Sequence, residues 1–138
     1  MAKKTIRHPD FSTLVMVNRE VVSLTKEAHE FTDEDKERLK SIVNEVKLRS
    51  SDEEFEEAVI QKASLLIYKI ARGQNFHEGN KRTALVAGSA FLRMNGHSID
   101  IKSVELVSVI DKVGVATASF NDVYEVVKKL IRDVGEGA

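Results

Sequence analysis

The chain has 138 residues, 42% of them apolar and 31% charged, a size and balance that suit one domain with one core spanning residues 1–138. With 21 basic residues against 22 acidic and a net charge of −1, it lacks the electropositive excess that drives non-specific nucleic-acid binding, so no nucleic-acid partner is expected. There is no cysteine, which removes disulfides and thiolate metal sites. No apolar run approaches a membrane span, and Met1-Ala2-Lys3-Lys4 is not followed by the apolar core of a signal peptide. The expected setting is the cytoplasm, with no membrane contact.

Six helical patterns follow in chain order. The first covers residues 12–27, with Leu14, Val15, Val21, Val22 and Leu24 apolar; its valines also allow a strand. The second starts at Thr32, where Asp33, Glu34 and Asp35 favour a helix N-terminus through the dipole, and carries Leu39, Ile42, Val43 and Val46 at helical spacing. Ser51 and Glu54 read as a capping box opening the third. Phe55, Ala58, Val59, Ala63, Leu66, Ile67 and Ile70 then form one apolar face, which ends at the helix stop Gly73. The acidic run 52–57 reads as a charged first turn with a solvated face rather than a binding patch.

A polar loop at 73–79, the first part of the motif segment 73–82, separates this helix from the fourth, which starts near Asn80 and runs to Met94. Ala84, Ala87, Gly88, Phe91 and Leu92 form its inner face, and their small side chains imply close packing against another helix. Asn95-Gly96 ends it. His97, Ile99 and Ile101 alternate as in a short extended piece. A fifth helix fits residues 103–115, weakened by Gly114. A sixth starts at Ser119 with Asp122 three residues on, carrying Phe120, Val123, Val126, Val127, Leu130 and Ile131. Residues 135–138 read as a frayed tail. The expected fold is an all-α bundle with the third and fourth helices long and central.

The loop Gln74-Asn75-Phe76-His77-Glu78-Gly79-Asn80-Lys81-Arg82 holds the chemistry. A helix N-terminus is electropositive and offers unpaired amides. Gly79 lets a ligand approach the backbone, and Lys81 and Arg82 add charge, so the segment suits a phosphate. Glu78 is placed to hold Mg²⁺ beside that phosphate. Phe76 is expected to point inward and His77 outward. On spacing alone a solvated turn with Glu78 and Asn80 as capping residues fits as well. His8, His29 and His97 show no metal-ligand spacing and read as surface residues.

The stretch from Ala71 to Leu85 resembles, without a gap, the motif region of the Fic/Doc superfamily, whose signature is His-Pro-Phe-x-Asp/Glu-Gly-Asn-Gly/Lys-Arg. The Doc ("death on curing") branch is the nearest in pattern. Phe91-Leu92-Arg93-Met94-Asn95-Gly96 and the pattern from Leu106 through Gly114-Val115-Ala116 to Ile131 are similar too, so the resemblance spans residues 60–134.

It implies a compact Fic/Doc-type bundle of about six helices. By position, Phe76 would anchor the loop and Glu78 would bind Mg²⁺. Gly79, Asn80 and Lys81 would cradle the ATP phosphates, and Arg82 would pair with one of them. AMP-transferring members carry a second arginine three residues after that one; Leu85 stands here, as in Doc-type sequences. This favours phosphorylation of a protein target over AMP transfer. Known Doc toxins act on elongation factor Tu and are silenced by an antitoxin.

The chain departs from the family at Gln74, where the catalytic histidine is expected, and at Asn75, where proline is usual. An amide cannot accept a proton near neutral pH, although it can orient a hydroxyl. A naturally reduced family member, an altered chemistry and an inactivating substitution all fit this glutamine. A non-catalytic Fic/Doc-fold protein binding nucleotide or a partner is the alternative reading, and a protein AMP-transferase a further one.

Overall fold

Alanine, valine, leucine and isoleucine recur at 58, 59, 63, 66, 67 and 70, and a helix built on that spacing has an apolar side with no access to water. In the computed structural model, which describes residues 5–10, 12–16, 19–20, 33–49, 53–73 and 78–134, this helix is the axis of the fold. We label the helical residues 12–16 α1 (19–20 are helical again), followed by α2 (Asp33–Leu48), α3 (Phe55–Arg72), α4 (Glu78–Met94), β1 (His97–Ser98), α5 (Val104–Gly114), α6 (Phe120–Leu130) and β2 (Arg132–Asp133). α3 packs against α2, α4, α5 and α6, and α5 also packs against both α4 and α6.

The fold is all-α, as expected. The only strand pairing among the described residues is the two-residue antiparallel contact of β1 with β2, with His97 opposite Asp133 and Ser98 opposite Arg132. None of the described helices is long and apolar enough to cross a membrane. The expected core is present: Leu14, Leu39, Ile42, Val43, Val46, Ala58, Val59, Ala63, Leu66, Ile67, Ile70, Ala84, Ala87, Phe91, Leu92, Val123 and Val127 are all buried. Val21, Val22, Leu24, His29, Thr32, Ser51 and the tail 135–138 lie outside the described residues.

Helix ends follow local chemistry, with two corrections. The N-cap of α3 is Glu54, three residues later than expected, and its carboxylate accepts from the Glu57 amide at 3.3 Å. An anion at the N-cap satisfies an orphan amide and meets the positive end of the dipole. α3 ends at Gly73 as expected, with that residue extended at φ −58°, ψ 142°. α4 starts at Glu78, two residues before the expected Asn80. By contrast, Ser119 and Asp122 form the expected reciprocal box on α6, and Gly96 at φ +84° ends the turn after α4.

Two long-range polar clamps tie the ends together. The Asn95 side chain accepts from the Arg7 amide at 2.8 Å and donates to the Arg7 and Phe91 carbonyls at 2.9 Å, which fixes the N-terminal segment to the end of α4. Lys62, 2% exposed, donates to the carbonyls of Val46 and Lys47 at 2.7 and 2.8 Å. It thereby satisfies acceptors in the last turn of α2, where the dipole favours a cation.

His8 and His97 correct the surface reading: His97 is buried and His8 half-buried. His8 Nε2 is the one buried side-chain polar atom without a partner among the described residues. Burial, then the nearby positive charges of Lys62 and Lys47, hold its pKa below the ordinary 6.5. As pH falls through 6.5 the unfolded chain takes up this proton before the folded one, so stability falls until the lowered folded pKa is passed. The Asp10 and Asp122 carboxyls, held below the usual 3.8 by hydrogen bonds, stay ionised across that range. The urea midpoint is therefore expected to be lower at pH 5.5 than at 7.5, and His8→Phe to flatten the difference. An unchanged pH dependence in that variant would refute the assignment.

Candidate functional site

α4 begins at Glu78 because the apolar face that starts at Thr83 and Ala84 is driven against α3, and the helix extends backward from it. Thr83, Ala84, Ala87 and Phe91 have no exposure. Glu78 at the first position complements the dipole. The run Glu78-Gly79-Asn80-Lys81-Arg82 thus forms the first turns of a 17-residue helix instead of the end of a loop. The amides of Glu78, Gly79 and Asn80 precede the first backbone bond this helix can make to a residue four back, and they form its electropositive end.

Helical phase separates the two cations. Residues 83, 84, 87, 88, 91 and 92 face inward, which leaves Arg82 exposed and Lys81 on the flank toward α5. The Lys81 ammonium is 3.5 Å from Asp111 Oδ1. A Cβ at Gly114 would stand 2.8 Å from Lys81 Cε, so the lysine stem lies across the bare backbone at the end of α5. Lys81 therefore reaches a phosphate at this helix end only by sharing or leaving Asp111. Asp111 was not singled out in the sequence; Gly114 was noted only as a helix-weakening residue. Leu85 is half-buried and packs against the core, so its position offers no charge.

Gln74, Asn75, Phe76 and His77 lie outside the described residues, as do the side chains of Glu78 and Asn80. α3 delivers the chain to Gly73 and α4 receives it at Glu78, so the rigid helix pair brackets those four residues. No cluster of three His, Cys, Asp or Glu residues suited to a metal occurs among the described residues. A single carboxylate at Glu78 supplemented by phosphate oxygens is the kind of donor set that Mg²⁺ accepts.

An open groove of about 460 Å³ lies between α5 and α6. Its lining includes Glu105, Asp122 and Glu125 against Lys112, the wrong sign for a phosphate.

Residues 9–92 match the family model described as Fic/DOC family. The match takes in the N-terminal region that the resemblance starting at residue 60 leaves out. No curated protein matches the chain.

Proposed function

The chain belongs to the Fic/DOC family, and from that premise we propose that it is a Doc-like protein of the toxin–antitoxin kind, a protein-modifying transferase fold that binds ATP and Mg²⁺ at the start of α4. Its phosphoryl transfer to a protein hydroxyl is reduced or absent because Gln74 stands where a base is needed. The observation that carries this reading is the run Glu78–Arg82 at the N-terminus of a helix packed against α3. The free amides and the dipole of that helix end support phosphate binding, with Arg82 exposed on its first turns and Lys81 beside it on Asp111.

Gly79 and Asn80 would hold phosphate oxygens through their amides, Arg82 through a charge-assisted pair, and Lys81 through its ammonium in exchange with Asp111. Glu78 would hold Mg²⁺, whose contribution is to neutralise phosphate charge. Phe76 would pin the loop, and Gln74 would orient the acceptor hydroxyl without taking its proton. By resemblance the target is elongation factor Tu, the silencing partner an antitoxin and the setting the cytoplasm. Leu85, in place of a second arginine, favours this over AMP transfer. Gln74 favours a second reading, a non-catalytic Fic/Doc-fold protein that binds nucleotide or a partner.

Calorimetric titration with Mg²⁺-ATP tests the site. The unaltered protein should bind, and Arg82→Ala should weaken binding by about ten- to a hundredfold, the value of one charge-assisted contact. Equal affinity in the two proteins would remove Arg82 from the site. Transfer of label to elongation factor Tu from γ-labelled ATP identifies a kinase; label from α-labelled ATP would identify an AMP-transferase and overturn the kinase reading.

A further inference from the structure

Both tyrosines of the chain and one of its six phenylalanines lie together on the outer side of α3 and α6. Phe120 and Tyr124 stack at 6.4 Å with planes 27° apart, and Tyr68 meets Phe120 edge-on at 6.3 Å. Each ring carries a cation. The Arg49 guanidinium is 4.5 Å from the Phe120 centroid, Arg72 is 5.7 Å from Tyr68, and the Lys128 ammonium is 5.6 Å from Tyr124. Such contacts hold cations over half-buried rings. Among the described residues, none of these three cations has a carboxylate partner.

The one acid within the cluster is already engaged. The Glu57 carboxylate accepts from the Tyr124 hydroxyl at 2.8 Å and from Gln61 Nε2 at 3.0 Å, and Gln61 Oε1 accepts from Arg49 Nε at 3.2 Å. Glu54 is used in its own helix cap, and Glu56 lies off the helical stripe that joins residues 57, 61, 68 and 72.

We propose that this ridge docks an acidic, extended segment of a protein partner, read by Arg49, Arg72 and Lys128. Phe120 has Arg49 over its ring and Tyr124 stacked with it, so the surface presents cationic heads rather than open rings. That suits carboxylates and not stacked nucleobases, in keeping with the near-zero net charge. The ridge ends at Arg72, the last residue of α3. The identification of that segment with a transferase substrate rests on the function proposed above, whereas the docking itself does not.

Fluorescence anisotropy with a labelled peptide of about 12 residues alternating glutamate and serine, long enough for the ridge at extended spacing, tests the proposal. The expected result is binding that weakens as salt rises, falls about tenfold or more in the variant Arg49→Gln/Arg72→Gln/Lys128→Gln, and is absent with lysine in place of glutamate. Arg72→Glu, at an exposed side chain, gives a second variant that leaves Arg49 over Phe120 and should weaken binding alone. Unfolding midpoints report whether each variant is folded. Equal affinity in the folded variants, no peptide binding by the unaltered protein, or preferential binding of a single-stranded oligodeoxynucleotide of equal charge would each overturn the proposal. Mg²⁺-ATP affinity should be unchanged in the triple variant. A protein that binds the peptide but no nucleotide would sink the transferase reading and leave the docking surface standing.

Discussion

Replacing Gln74 by histidine is expected to raise protein phosphorylation by about 10²–10⁴-fold, the usual worth of a positioned general base. An imidazole with an unperturbed pKa near 6.5 is half-deprotonated close to neutrality and takes the proton of an attacking hydroxyl, whereas the glutamine amide cannot. The proposed binding groups at Glu78, Lys81 and Arg82 are untouched by the change, so Mg²⁺-ATP affinity should stay the same while turnover appears. The rate should also rise with pH through the titration of the new base, a signature that a merely structural repair would not give. Time courses with γ-labelled and α-labelled ATP measure this. If the variant binds Mg²⁺-ATP and labels no protein from either nucleotide, the transferase reading fails and the binding-protein reading takes its place.

Substituting Gly88 is expected to cost more stability than any change at the motif. A Cβ at position 88 would lie 2.5 Å from Ile67 Cδ1. Ile67 is 1% exposed, and its branched side chain has essentially one comfortable rotamer in a helix. It cannot swing aside, so α3 and α4 must separate. Overpacking of this kind costs about 1–3 kcal/mol for one methyl, partly offset in Gly88→Ala by about 1 kcal/mol of helix propensity. Gly88→Val adds two further methyls and loses propensity, so it should lower the urea midpoint much further or prevent folding. The contact predicts its own rescue: Ile67→Val combined with Gly88→Ala should cost less than the sum of the two alone. Additive costs would mean that the two residues do not share the contact. Because α3 ends at Arg72 and α4 starts at Glu78, spreading the pair also displaces both ends of the motif segment.

The α4 region shows how far local reading extends. Its inner face at Ala84, Ala87, Gly88, Phe91 and Leu92 was legible as a 3.6-residue pattern, and the small residues correctly implied a close helix contact. Sequence reading places its start two residues late because Gly79 is a poor helix former in isolation. Packing of the following turns against α3 overrides that preference. The histidines failed for a related reason. His8 and His97 have no sequence signal of burial: His8 meets Phe91 of α4, and His97 enters the β1–β2 pair, only once the chain is folded. Ala116, at φ +61°, is another such case: it takes the left-handed position after α5 that sequence reading assigns to glycine.

By itself the sequence determined the helical periodicities, the Ser119–Asp122 box and the motif from Gln74 to Leu85, since each rests on residues three or four apart or on an uninterrupted run. Only the tertiary structure decided that Lys81 is paired with Asp111, that Lys62 closes α2, that Asn95 holds Arg7, and that Arg49, Arg72 and Lys128 share one aromatic ridge. Those contacts join positions far apart in the chain. Local periodicity records which face of each helix is buried, but the partner across that face is set by how the helices meet.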